Sequence, residues 1–303
     1  MPGMRNLATA VVLLSLPAGV QAREPVLLKP LSPWNLQYQP ESCKLVRSFG
    51  DPARPTVMVL ERISPESPLS LLVYGGGLRS QIGDEGVTAA FLPFASNPFR
   101  DGAVAQTATT KDPAIYWLNV LIRPAAMRYD EMKKRADYYV RDLAWEAGER
   151  AMADRTAAAI TGLQIDERGR RTVLMTGSLG KAYPLMRQCA ADQMAAWGID
   201  PAVQEKLVRA AKPLAPLSQL FRSSDYPKGA LKTGDESVIR ARLLIDATGK
   251  VTKCTSLTAF SAPGFADVVC ARLRLAKFSP AELADGTRIP DFTTTNIKFV
   301  MGQ

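Results

Sequence analysis

Hydrophobic and polar positions divide this chain into short segments at its start and into one clearly periodic unit at its end. Trp34 to Tyr38, CKLVRSFG, TVMVLERI and LSLLVYGGG are brief apolar-rich runs separated by Pro, Gly, Asp and Ser. Runs of that length between turn formers predict strands, so the beginning is β-rich. The stretch from Leu78 to Pro113 is rich in Gly and Ala with weak periodicity and predicts no element; the next strand is IYWLNVLI, residues 115–122. From Tyr129 to about Ala158, Ala, Glu, Arg and Met dominate without proline, which predicts helix. ITGLQI and TVLMTG then flank the polar turn DERGR as two further strands. Leu185 to Trp197 has helical spacing, and Gly198 is its stop signal.

KPLAPLSQLFRSSDYP, with three prolines in a mixed polar and apolar run, is where a linker is expected, at residues 212–224. Beyond it DYPKGALKTG predicts a short helix with proline in its first turn and glycine at its end. Ser237 to Asp246 alternates, with Ile239, Ala241, Leu243 and Ile245 on one face and Arg240 and Arg242 on the other. An Ala-Thr-Gly-Lys corner returns the chain as Val251 to Leu257, antiparallel to it. Pro263 to Lys277 reads as a helix whose stripe is Phe265, Val269 and Leu273, and FTTTNIKFV, residues 292–300, is a last strand. The fold class expected is therefore α+β: a β-rich N-terminal domain with some helix at 23–211, then a small helix-strand-strand-helix-strand domain at 225–303.

The first 22 residues have another purpose. Arg5 precedes the apolar run Leu7 to Leu16, then Pro17 and the small-residue site Val20-Gln21-Ala22, the pattern of a cleavable signal peptide. A spanning helix needs about 20 apolar residues, and Pro17, Gly19 and Gln21 interrupt this run too early. Export to the periplasm follows, with no membrane span after cleavage and an oxidising surrounding. Net charge is +9, and Arg5 is the sole charge within 1–22, so removal leaves +8. The basic residues are scattered among acidic ones, and no basic run interleaved with aromatics marks a nucleic-acid surface.

Cys43, Cys189, Cys254 and Cys270 have no CxxC spacing, which argues against zinc or thioredoxin chemistry and for two disulfides. Three pairings exist on paper. Cys254 with Cys270 is the most natural, since both lie in one short C-terminal unit, and that leaves Cys43 with Cys189. Such a short-range bridge contributes about 3 kcal/mol on the chain-entropy model.

The absence of histidine removes Ser-His-Asp triads, Cys-His pairs and the commonest metal ligand. GSLG at 177–180 lacks the G-x-S-x-G spacing, and GGG at 75–77 lacks the Gly-Lys-Ser/Thr of a phosphate cradle. Asp84 and Glu85 are adjacent loop carboxylates of the kind that water usually solvates. No catalytic residue, cofactor or metal site is expected.

YPKGAL, Gly234, the strand-turn-strand RLLIDATGKVTKC, the helix after it, FSPA and DGTRIP resemble, in order and spacing, the C-terminal domain of the energy-transducing TonB family over residues 226–303. The cysteines of the second strand and helix resemble the family's cysteine-bearing branch in exported α-proteobacterial proteins. Trp34, CKLVRSFG, Cys189 and Trp197-Gly198 are similar to that branch's N-terminal region. The family's full transducers carry a membrane-anchored helix with a functional histidine and a long Pro-rich linker, and neither signature is found in this sequence. The resemblance implies a non-enzymatic module that binds envelope proteins, TonB-dependent outer-membrane receptors among them, through a sheet edge. The edge strand expected is Thr293 to Phe299, with Thr293, Thr295, Ile297, Lys298 and Phe299 along it and Arg240 and Arg242 as charged contacts. Two other readings are an energy transducer, if the N-terminal segment remains as an anchor, and an exported hydrolase with its site in the N-terminal domain.

Overall fold

The computed structural model describes residues 24–65, 68–82, 84–96, 98–100, 102–122, 143, 153–258 and 263–301. The signal-like segment 1–22 and most of the helix expected from Tyr129 to Ala158 lie outside them; of that helix, 143 and 153–159 are described and are helical, the latter as α1.

The N-terminal part is built on a six-stranded sheet, in the order β2 (Asn35–Tyr38), β3 (Cys43–Asp51), β4 (Arg54–Arg62), β5 (Leu69–Gly75), β8 (Pro113–Val120), β7 (Ala103–Gln106). Each pair in it is antiparallel. One face alternates into the interior with Cys43, Leu45, Phe49, Met58, Leu60, Leu71, Val73, Ile115 and Trp117, all buried. A second sheet runs β1 (Val26–Leu28), β10 (Arg170–Leu174), β9 (Gly162–Glu167), β6 (Thr88–Leu92), with β1 parallel to β10. Leu163, Ile165, Leu174, Ala89 and Phe91 join the same core, so both sheets and helix α2 (Ala182–Ala196) enclose one apolar interior. Strand β6 carries no sequence signal because Ala89, Ala90 and Phe91 are buried in succession, which erases the alternation of a one-sided strand.

The glycine run at 75–77 allows close approach of backbones. A Cβ on Gly75 would stand 2.1 Å from the Pro55 carbonyl oxygen, and one on Gly77 2.4 Å from Thr56 Oγ1. Ser178 of the GSLG segment donates to the Ala158 carbonyl and accepts from the Gly180 amide, a turn that leads into α2. Asp84 accepts from the Gln81 amide and pairs with Arg168 at 3.1 Å.

The C-terminal part contains, in order, a four-residue helix α3 (Pro201–Gln204), β11 (Leu207–Arg209), β12 (Lys212–Pro213), α4 (Lys228–Thr233), β13 (Ser237–Ile245), β14 (Val251–Ser256), α5 (Phe265–Leu273), β15 (Phe278–Ser279), β16 (Ala281–Leu283), β17 (Arg288–Ile289) and β18 (Asp291–Phe299). β13 is the centre of an antiparallel three-stranded sheet in the order β14-β13-β18. Ile239, Ala241, Leu243 and Ile245 bury one face of it under Phe265, Val269 and Leu273 of α5. Tyr226, Phe265 and Phe299 close the end of that core, with centroids 5.0–5.6 Å apart. The architecture is α+β and strand-rich.

Two features depart from the expected outline. The linker expected at 212–224 starts inside the C-terminal fold: Lys212–Pro213 pairs with Phe278–Ser279, β11 pairs with β16, and Leu207, Ala211 and Leu217 are buried in the C-terminal core. Prolines there bend an ordered strap; they do not mark an unattached one. Helix α5 stops at Leu273, short of Lys277, because the chain from Ala276 turns extended to run between Leu214 and Gly249.

Candidate functional site: an open sheet edge beside a docked face

The second face of the C-terminal sheet is not a solvated surface. Arg242, in the middle of β13, is 2% exposed. Its guanidinium carbon lies 3.6 Å from the ring centroid of Trp197, Nη1 donates to the Ile63 carbonyl at 3.0 Å, and Nη2 pairs with the Glu41 carboxylate. Burial pushes its pKa down to about 10, so it remains charged at neutral pH. A planar guanidinium suits this position, since it stacks on an indole and donates in its own plane at once. Arg240 reaches Ser70 Oγ on β5 at 3.3 Å. Both arginines expected as partner contacts are thus turned inward and join the two halves of the chain. Alternation had placed them on a polar face; a second layer of protein covers that face.

Apolar contacts complete the junction. Phe292 stands edge-on to Trp197 at 5.7 Å, and Met194, Ile199 and Leu244 pack around them. Within the C-terminal part, Gln204 Nε2 donates to the Pro290 carbonyl at 2.8 Å, and the Ala211 amide donates to buried Asp291 at 2.8 Å, which holds the start of that part against β18. On the N-terminal side the receiving pocket is braced by Cys43–Cys189, which ties β3 to α2 with Cα atoms 6.1 Å apart. Gln193 Nε2 also donates to the carbonyls of Gln39 and Ser42. Glu41 therefore sits in a loop clamped to the helix whose end carries Trp197. The second bridge is Cys254–Cys270, Cα atoms 5.4 Å apart, joining β14 to α5.

With one face under α5 and the other against the N-terminal part, the edges of the sheet remain. The Arg240 amide bonds Thr258 Oγ1 and its carbonyl receives Leu257 N, on the β14 side. A residue of an antiparallel ladder points its N–H and C=O to the same side. Ile239, Ala241 and Leu243 therefore bond across to Ile297, Thr295 and Thr293, their partners in register. Thr294, Asn296 and Lys298 turn their N–H and C=O outward, and among the described residues none of these meets a backbone partner there. The Phe292 amide, next in that outward set, is capped by Asp291 Oδ1 at 2.8 Å.

Strand β18 is thus at an edge, but the residues named for it from the sequence divide. Thr293, Thr295 and Phe299 are buried in the core under α5, and Ile297 is half-buried, so their backbones serve β13. Lys298 is exposed and belongs to the outward set with Thr294 and Asn296. Parity could have separated them: Ile297 and Phe299 mark the apolar face, and the intervening residues carry the opposite backbone direction.

No family model, no curated protein and no solved structure matches this chain. Among the described residues, no group of three or more His, Cys, Asp or Glu stands close enough together to hold a metal ion. Among the same residues no helix is long and apolar enough to cross a membrane.

Proposed function

We propose that this chain is a non-enzymatic protein-binding module of the periplasm, similar in its C-terminal part to the energy-transducing TonB family. It takes up an extended segment of an envelope protein, a TonB-dependent outer-membrane receptor being the first candidate, as a strand added beside β18. The observation that carries the reading is the outward backbone of Thr294, Asn296 and Lys298 at the edge of a sheet whose two faces are occupied. An unpaired edge offers donors and acceptors at strand spacing, so a partner gains main-chain hydrogen bonds without needing a cavity. Two disulfides fit an oxidising compartment. The signal-like start, cleaved before Arg23, delivers the module there without coupling to the proton-motive force.

Proline at an outward position removes a donor that β13 does not use. The exported chain is expected to recover a defined envelope protein in a pull-down, and Asn296→Pro to lose it while melting at a similar temperature. Recovery of nothing above background, or equal recovery by the variant, contradicts the proposal.

A further inference from the structure

A second surface lies on the C-terminal part, away from β18. Residues 276–279 run extended between two neighbours. On one side Lys212 pairs with Ser279 and Pro213 with Phe278, and the Leu214 amide bonds the Lys277 carbonyl at 2.8 Å. On the other, Lys250 bridges Lys277 and the Phe278 amide bonds the Gly249 carbonyl at 2.9 Å. Gly249 allows this approach, for a Cβ there would stand 1.9 Å from the Phe278 carbonyl oxygen.

Directly opposed residues in neighbouring strands share a face. Leu214, Lys277 and Lys250 therefore form one row, with Lys212 in the next, while the intervening Ala276 and Phe278 are buried on the reverse side. Leu275, in the turn that leads from α5 into this segment, is also exposed. Leu214 and Leu275 are 69% and 60% exposed. Lys250 and Lys277 are exposed and, among the described residues, have no ion-pair partner. The nearby carboxylate, Asp246, feels the Lys250 charge and is also held in its own turn, where Oδ1 accepts from Thr248 Oγ1, the Thr248 amide and the Lys250 amide.

We propose that this face, with Leu214 and Leu275 beside Lys250 and Lys277, docks the protein onto an anionic phospholipid bilayer. Lysine carries a compact, strongly hydrated charge on a long apolar stem, so it can stay at headgroup phosphates while leucines enter the acyl boundary. A purely acidic chain such as polyglutamate would match the charges but has no apolar side chains to cover both leucines. Because the face grows from the β13–β14 corner, docking through it leaves the outward backbone of Thr294, Asn296 and Lys298 open. The inference is independent of sheet-edge pairing, and either can fail alone.

The test uses the chain lacking residues 1–22, which retains every described residue, in sedimentation with vesicles. Binding is expected to vesicles of equal parts phosphatidylglycerol and phosphatidylcholine, to fall with added salt, and to be weak with phosphatidylcholine alone. Lys250→Gln with Lys277→Gln is expected to weaken it about thirtyfold, at the usual increment for a basic residue near an anionic surface. Leu214→Ser with Leu275→Ser is expected to weaken it at unchanged charge. Lys228→Gln with Lys232→Gln, the same charge change on α4, is expected to leave it nearly unaltered. The proposal is overturned by equal binding to both vesicle types, by an equal loss in the α4 pair, or by binding to soluble polyglutamate with none to vesicles.

Discussion

Two ion pairs show how differently a charged residue can serve this molecule. Arg242 is enclosed, stacked on Trp197 and bonded to the Ile63 carbonyl, so its energetic weight lies in shape as much as charge. Lysine keeps the charge but has neither the fork nor the flat face. Arg242→Lys is expected to lower stability by about 2 kcal/mol in urea denaturation, the scale of a desolvated cation–π contact with a buried hydrogen bond. An unchanged midpoint would show that the contact contributes nothing. Asp225 is a covered carboxylate without an enclosed cation, where the hydrogen bond from Arg272, then that from the Arg222 amide, holds its carboxyl below the usual carboxylate range. A depressed folded-state pKa stabilises above the unfolded value, about 3.9, and the contribution is lost as pH falls through the folded value. Between pH 5 and pH 2 the melting temperature of the native protein is expected to fall further than that of Asp225→Asn. Parallel curves would contradict this.

At the scale of elements, β13 to β18 shows what a sequence can and cannot convey. The face of Ile239, Ala241, Leu243 and Ile245 was legible, because burial under one helix leaves a period of two, and the stripe Phe265, Val269, Leu273 told which helix. Strands β11, β12 and β15 to β17 are two or three residues long and carry no period. They exist because the strap 207–214 is held by residues some seventy positions later. The interior role of Arg242 was hidden by the same alternation that revealed the core face; the one signal was Leu244 and Phe292, two large apolar residues on a face otherwise read as polar. The bridge Cys254–Cys270 closes a short loop between β14 and α5. Replacing both cysteines by serine is expected to cost about 3 kcal/mol, read as a shift in denaturation midpoint, with β13–β14 pairing kept. A variant as stable as the native protein would mean that packing alone seats the helix.

For the whole molecule, the two halves act as one support. Cys43–Cys189 and the Gln193 bonds fix the Glu41 loop to α2, and Trp197 at the end of that helix receives Arg242 from the C-terminal sheet. The N-terminal part thereby covers the sheet's second face, and among the described residues the outward side of β18 has no partner strand, which is where the proposed partner would add. The most direct test is photo-crosslinking in the envelope from a reactive residue at position 296, compared with one at 253 on the opposite edge strand. A discrete adduct from 296 and none from 253 is the result predicted; no adduct from 296, or the same adduct from both, would contradict pairing at the β18 edge.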